Sequence, residues 1–129
     1  MEIQKSNNFK FFGIGTDIVK INRFREKIFS KNKSFYEKIF LDEEIKYCLN
    51  FKDPYSHFAG KFAIKESVIK SLSEKISFKH ILTFNKNSKP QIKLLLENTE
   101  KYNFLVSMSH EDEFAIATVL VNELIKSKN

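Results

Sequence analysis

The sequence predicts an α+β domain, a largely antiparallel β-sheet packed on one long central helix, with residues 1–129 forming a single unit. Three observations predict it. Residues 57–72 (HFAGKFAIKESVIKSL) carry Phe58, Phe62, Ile69 and Leu72 on one helical stripe, with Ala59, Ala63, Ile64 and Val68 spreading apolar surface around the other sides. After Leu72 the apolar period changes from helical to alternating. The order of elements, one strand, then helices, then two hairpins, suits helices gathered against an antiparallel sheet. A chain of 129 residues buries roughly two-thirds of its unfolded surface, and its 14 phenylalanines with no tryptophan make the core Phe-rich.

Residues 9–21 (FKFFGIGTDIVKI) read as a strand from their apolar and β-branched content, loosened at Gly13 and Gly15. Glycine inside a strand marks a bulge or the close approach of another backbone or a ligand, which makes the segment entering Asp17 a docking place. Asp17 itself is either a turn or strand-end cap or a catalytic acid. Asn22 is the expected N-cap of a short basic helix over residues 23–29, with Phe24 and Ile28 inward and Arg23, Arg25 and Lys27 toward water. Ser34 and Glu37 have capping-box spacing, and Asp42 caps a further helix carrying Ile45, Tyr47, Cys48 and Leu49. Residues 50–54 break that run, and Pro54 opens the long helix, where a missing N–H does no harm. Residues 76–84 and 90–96 are strands joined by the polar segment NKNSK. Residues 97–103 are a loop or short helix. Residues 104–109 and 114–121 flank HEDE as a second hairpin.

With 22 Lys and Arg against 16 Asp and Glu, the formal charge of +6 favours an anionic partner. Charge alone does not choose among nucleic acid, an anionic membrane surface, a phosphorylated small molecule and an acidic protein. The strands lack the Gly-rich aromatic motifs of common RNA-binding sheets, so no nucleic acid is expected as partner. No apolar run approaches the roughly 20 residues that span a bilayer, and the first residues lack the apolar core of a signal peptide. The single cysteine, Cys48, excludes a disulfide framework and a Cys-based zinc site and suits a reducing interior. The expectation is a cytoplasmic protein with no membrane association.

Glu66 lies four residues after Phe62 and three before Ile69, at the margin of the buried stripe, with Lys70 one turn later on the same side. An ionised carboxylate there needs a cation. Either Lys70 pairs with it along the helix, contributing roughly a few tenths of a kcal/mol, or Glu66 is a metal ligand beside a phosphate-binding lysine. The second reading requires another carboxylate from elsewhere in the chain.

Gly13, Ile14, Gly15, Asp17, Ile18, Ile21 and Arg23 match the strand motif G-I-G-x-D-I-x-x-I-x-R. Phe62, Ala63, Lys65, Glu66, Ser67 and Lys70 match the helix motif F-A-x-K-E-(A/S)-x-x-K, and Ser107, Met108, Ser109 and His110 match S-x-S-H. In this order and at these spacings the chain resembles the holo-acyl-carrier-protein synthase family of 4′-phosphopantetheinyl transferases over about residues 12–121. The resemblance implies Mg2+-dependent transfer of the phosphopantetheine arm of coenzyme A to a serine of an acyl carrier protein. Adenosine 3′,5′-bisphosphate is released, and the reaction supports fatty acid biosynthesis.

The same resemblance implies that Asp17 and Glu66 bind the magnesium, a hard cation that takes one or two carboxylates plus substrate phosphates and water. It makes Lys70 a point charge or proton donor toward the same phosphates, and leaves the proton acceptor for the serine open. Lys61 and Lys65 are implied contacts to coenzyme A phosphate or to a neighbouring subunit. Lys61 stands where the family has arginine, which loses bidentate phosphate binding and keeps the charge. His110 is either a phosphate contact or a histidine at a hairpin mouth. Arg23, Arg25 and Lys27 resemble the surface that receives the acidic carrier protein. A homotrimer with active sites between subunits is implied too, and residues 114–121, apolar on both faces, suit a subunit seam or a buried central strand. Two departures stand out. The glycine-rich segment after the helix is replaced by Ser73, Glu74 and Lys75, and the G-K-P turn by Ser88, Lys89 and Pro90.

Overall fold

Turn-forming and capping residues cut the chain into nine main elements, seen in a computed structural model that describes residues 9–124. They run β1 (Phe9–Lys20), α1 (Asn22–Arg25), α2 (Lys33–Glu37), α3 (Asp42–Leu49), α4 (Pro54–Ser71), β2 (Ile81–Lys86), β3 (Lys89–Leu94), β4 (Tyr102–His110) and β5 (Phe114–Leu124). The α+β reading holds, with one refinement. The strands form two antiparallel sheets, β1-β5-β4 and the separate hairpin β2-β3. Among the described residues no helix is long and apolar enough to cross a membrane.

Strand alternation decides how the larger sheet faces α4. Gly15, Val19, Ala115, Ala117, Val119 and Val121 point inward and are buried, while Phe12, Ile14, Ile18, Leu105, Ile116 and Leu120 point outward and are exposed. The last strand is therefore central and greasy on both faces, one covered by α4 and one open. Over its inward side, Phe24, Tyr36, Phe40 and Phe58 make a buried aromatic cluster, with the Tyr36 and Phe58 rings 4.6 Å apart.

Helix ends differ from the sequence reading where a tertiary partner displaces a local cap. The basic helix stops at Arg25, and Asn22 is its first residue rather than its cap. The Tyr36 hydroxyl lies 3.0 Å from the Phe24 carbonyl and 2.7 Å from that of Lys27, closing this turn with a side chain. Ser34 and Glu37 form no capping box, because α2 starts one residue earlier, at Lys33. Asp42 lies inside the first turn of α3, where Glu44 Oε1 accepts the Leu41 N–H at 2.8 Å. α4 starts at Pro54 as expected, and Asp53 caps it by accepting the Tyr55 N–H at 3.2 Å.

The second half shifts boundaries more than it changes type. A 3-10 turn at Phe78–His80 takes the first part of the segment read as strand, and β2 begins at Ile81. The hairpin pairs Lys86 with Lys89, leaving a two-residue turn in which Asn87 (φ 52°) and Ser88 (φ 63°) are both left-handed. That is the geometry of a type I′ turn, where Asn is tolerated and glycine strongly favoured.

One contact sets the distance between layers. A Cβ at Gly15 would fall 1.8 Å from the carbonyl oxygen of Ser67, so only glycine lets β1 approach α4 this closely. Gly15→Ala should force the strand and helix apart and lower stability by about 3 kcal/mol or more, read from the denaturant midpoint. Ser88→Gly should act in the opposite direction, raising the unfolding free energy by about 0.5–1 kcal/mol through relief of the left-handed turn residue. An unchanged midpoint for either variant would contradict its premise.

Candidate active site

The candidate site is built where β1 crosses α4, and the Gly15–Ser67 approach creates it. Asp17 follows Gly15 by two residues and so shares its inward face, while Glu66 immediately precedes Ser67. The Ser67 hydroxyl lies 2.7 Å from the Ala63 carbonyl and 3.2 Å from that of Ala117, fastening the helix to β5. Thr16 donates to the same Ala117 carbonyl at 3.0 Å.

Lys70 bridges the two layers. Its ammonium donates to Asp17 Oδ1 at 3.1 Å and to the Thr16 carbonyl at 3.0 Å. This replaces the intrahelical Glu66–Lys70 pair allowed by the sequence, since an oxygen-rich strand end lies within the lysine's reach. Glu66 is left partly buried without an ion pair among the described residues. Burial pushes its pKa up, and the neighbouring Asp17 carboxylate pushes it further, against the weaker pull of Lys70 and Arg23. The fold thus sets the Asp17 carboxylate near enough to oppose the ionisation of Glu66. Among the described residues no third His, Cys, Asp or Glu joins them as a metal-holding group. Two carboxylate donors fit a hard cation that draws its remaining oxygens from phosphate and water, so the residues present fit magnesium.

Lys65 and Lys61, read from the sequence as phosphate or subunit contacts, point inward instead. Lys65 is fully buried, and its ammonium donates to Glu44 Oε1 at 2.6 Å, the Ile39 carbonyl at 2.9 Å and the Phe78 carbonyl at 3.1 Å. All three of its donors are used. Glu44 Oε2 accepts from the Thr83 N–H at 2.9 Å and the Thr83 hydroxyl at 2.5 Å. Lys61 donates to the Thr83 hydroxyl at 3.0 Å and the Thr83 carbonyl at 3.1 Å, and lies over the Tyr47 ring. Burial lowers the pKa of both lysines. The physical reason for the inward turn is Glu44, buried on α3, which needs cationic and N–H partners. Sequence reasoning passes over Glu44, although it lies four residues before buried Cys48 and thus on the inward stripe of α3.

The basic helix keeps its charge near the surface. Arg25 donates to Asp53 Oδ2 at 2.9 Å and to the Asp112 carbonyl at 2.8 Å, so part of its guanidinium is engaged. Arg23 lies over the Phe62 ring at 5.3 Å and Lys27 over the Phe35 ring at 4.9 Å. His110 is exposed at the end of β4, its ring 6.1 Å from that of His57. The connection after α4 is tied down by Glu74, which accepts from the Tyr102 hydroxyl and lies 3.7 Å from Lys101 Nζ.

Comparison with known proteins places the chain in a family. A profile of the 4′-phosphopantetheinyl transferase superfamily matches residues 13–119, from β1 to β5. The holo-[acyl-carrier-protein] synthase of Chlamydia muridarum is 36% identical over 124 residues, covering 91% of this chain and 99% of that protein. The Chlamydia pneumoniae protein of the same name is 38% identical over 83% of this chain and 93% of its own length. Among solved structures, the Helicobacter pylori holo-[acyl-carrier-protein] synthase in complex with coenzyme A is similar at TM-score 0.72 and 33% identity, over 84% of this chain and 98% of that one. The Bacillus anthracis synthase in complex with CoA (3′,5′-ADP) reaches TM-score 0.74 at 28% identity, over 86% and 96% of the two chains. A superfamily match that spans the whole candidate site, with identity of this level over most of the length, settles the affiliation: the chain belongs to the 4′-phosphopantetheinyl transferase superfamily.

Proposed function

We propose that this chain is a holo-[acyl-carrier-protein] synthase, moving the 4′-phosphopantetheine arm of coenzyme A to a serine of an apo acyl carrier protein and releasing adenosine 3′,5′-bisphosphate. The observation that carries the reading is the Asp17 carboxylate set close enough to disfavour ionisation of Glu66, with Lys70 of α4 bonded to that aspartate, in a chain whose relatives bear that name. Asp17 and Glu66 would hold a magnesium ion, which supplies charge neutralisation for a pyrophosphate and its leaving bisphosphate. Lys70 has one N–H beyond its two protein bonds, and its half-exposed side chain can present it to a phosphate oxygen. The serine proton would pass to one of the two carboxylates or to a water held beside them.

Arg23 and Lys27, held at the surface over aromatic rings, with Arg25 fixed beside them, would receive an acidic carrier protein. Their charge would mainly accelerate encounter and be weakened by salt. A homotrimer with sites between subunits is part of the reading. It is supported by the outer sheet face, where Ile14, Leu120 and Leu105 are aligned across the three strands and stay exposed. A role in fatty acid biosynthesis and a cytoplasmic location complete the proposal.

Incubation with coenzyme A, Mg2+ and apo carrier protein should add one phosphopantetheine to the carrier, detected by mass spectrometry. EDTA or Glu66→Ala should cut the rate by about a hundredfold or more. A parent protein that adds nothing would refute the assignment. The magnesium role has a separate readout in stability. Because the Glu66 pKa is raised by folding, its favourable share of stability is present below the ordinary glutamate pKa and lost as pH rises through the folded value. Glu66→Gln should therefore melt higher than the parent near neutral pH without divalent cation, and the gap should close in acid. Added Mg2+ should raise the melting temperature of the parent and leave that of the variant unmoved. Equal Mg2+ responses would remove Glu66 from the metal.

A further inference from the structure

Glu44 is a buried carboxylate that the proposed chemistry leaves unused. It is 1% exposed on α3, and both of its oxygens are engaged. Oε1 accepts from the Leu41 N–H at 2.8 Å and from the Lys65 ammonium at 2.6 Å, while Oε2 accepts from the N–H and the hydroxyl of Thr83 at 2.9 and 2.5 Å. These bonds fill the positions a carboxylate offers. Through them one side chain ties its own helix to α4 at Lys65 and to β2 at Thr83. Desolvation offsets most of the attraction within a buried ion pair, so net stability is a weak reason for such a group and fixing one geometry is a stronger one.

The geometry it fixes lies one residue away. Lys65 immediately precedes Glu66, and successive helical residues point about 100° apart, so Lys65 faces α3 while Glu66 is turned toward Asp17. Among the described residues the Glu66 carboxylate has no hydrogen bond or ion pair with protein, so its direction follows the backbone that carries it. That backbone is fastened on both sides of Glu66. After it, the Ser67 hydroxyl donates to the Ala117 carbonyl at 3.2 Å and the Ser67 carbonyl meets Gly15. Before it, the Lys65 ammonium is held by Glu44 and by the carbonyls of Ile39 and Phe78. The Ser67 contact sets how near α4 comes to the sheet, and a helix held at one line of contact can still roll about its axis. A roll of about 20° carries a group about 6 Å from the axis through roughly 2 Å, enough to break a hydrogen bond or misplace a ligand. Lys65 is the tether on the far side that resists it, because rolling draws its ammonium off three acceptors. Lys70, the tether on the near side, is half-exposed and holds less firmly.

We propose that Glu44 is a positioning residue for the metal site: by holding the Lys65 ammonium it fixes the rotation of α4 that turns Glu66 toward Asp17, and its loss weakens Mg2+ binding in a protein that still folds. This role rests on Asp17 and Glu66 being the magnesium ligands. Glu44 touches neither of them and acts only through Lys65 and the helix backbone. Partners behind a metal ligand hold it in its binding orientation, and here the partner is reached through the neighbouring residue because the ligand itself has none.

The test titrates the full chain with Mg2+ alone, following the rise in melting temperature with concentration, and measures the denaturant midpoint separately. Glu44→Gln keeps the shape and leaves the Lys65 ammonium unpaired. It should need about tenfold more Mg2+ than the parent for the same rise, the loss that partners behind a metal ligand cause. In Glu44→Gln/Lys65→Met no charge is left unpaired, so this protein should unfold at a higher denaturant concentration than Glu44→Gln. It should still need about tenfold more Mg2+, because α4 remains untethered. Leu94→Ala, a cavity in the core on β3, should lower the denaturant midpoint and leave the Mg2+ requirement at the parent's. A Mg2+ requirement that returns to the parent's value as stability returns, or that rises as much in Leu94→Ala, would make Glu44 a structural residue only and overturn the inference. An unchanged requirement in a folded Glu44 variant, or a double variant that does not fold, would overturn it too. Each of these leaves the magnesium reading intact, whereas a parent protein that shows no response to Mg2+ would overturn both.

Discussion

At Gly15 two backbones meet with no side chain between them, and the arrangement of the molecule follows from how near they come. A helix normally stands off a sheet by the thickness of its side chains. Here the missing Cβ lets the Ser67 carbonyl take up that space, and the neighbours of the two contact residues are drawn together with them. Asp17 and Glu66 are those neighbours. Their mutual repulsion is a cost of the same geometry, visible in the raised pKa of Glu66. Ser67 and Thr16 share the Ala117 carbonyl as an anchor, so β5 is locked to the crossing and the two acids have little freedom to drift apart. A site that gathers like charges on rigid elements is preorganised for a cation, since relaxation of the scaffold cannot relieve the repulsion.

The lysines of α4 divide between two tasks by their position around the helix. Lys61 and Lys65, one turn apart, face Glu44 and Thr83 and form a buried polar network in which Lys65 spends every donor. Such a network fixes the rotation of α4 only while complete, because removing one partner leaves a buried charge unpaired. Among the described residues no buried side-chain polar atom lacks a partner. Lys70, beyond them on the helix, emerges at the margin and crosses to β1 instead. The residues Lys65 and Glu66, adjacent in one motif, therefore face opposite demands: one holds the helix in register and the other sits at the crossing.

Much of this is legible in the amino-acid sequence, for physical reasons that also mark the limits. The long helix and the strand character of the first and last segments follow from periodicity, which reports burial directly. Gly15 reads as a close approach, but a glycine alone does not say whether a ligand or a backbone comes near; the Ser67 carbonyl answers that. The expected caps at Asn22, Ser34 and Asp42 fail because capping competes with tertiary partners: Tyr36 closes the first helix and Glu44 occupies the start of the third. Lys61 and Lys65 look like phosphate ligands in sequence because a lysine's reach says nothing of which neighbour it meets. The signal that corrects them is Glu44, an acid on an inward stripe.

Composition shows the same limit from another side. A net charge of +6 suggests a broadly positive surface, yet Lys61 and Lys65 are buried, Lys70 is paired with Asp17, and Arg25 is paired with Asp53. What remains for anionic partners is spread over Arg23 and Lys27 at the short helix and exposed lysines elsewhere, Lys33, Lys46, Lys86 and Lys93 among them. Arg23 and Lys27 carry their charge at any physiological pH on flexible stems, suited to an extended acidic surface that docks and leaves. The specificity of the molecule for anions is thus set by which cations the fold leaves uncompensated, and their total number is a poor guide to it.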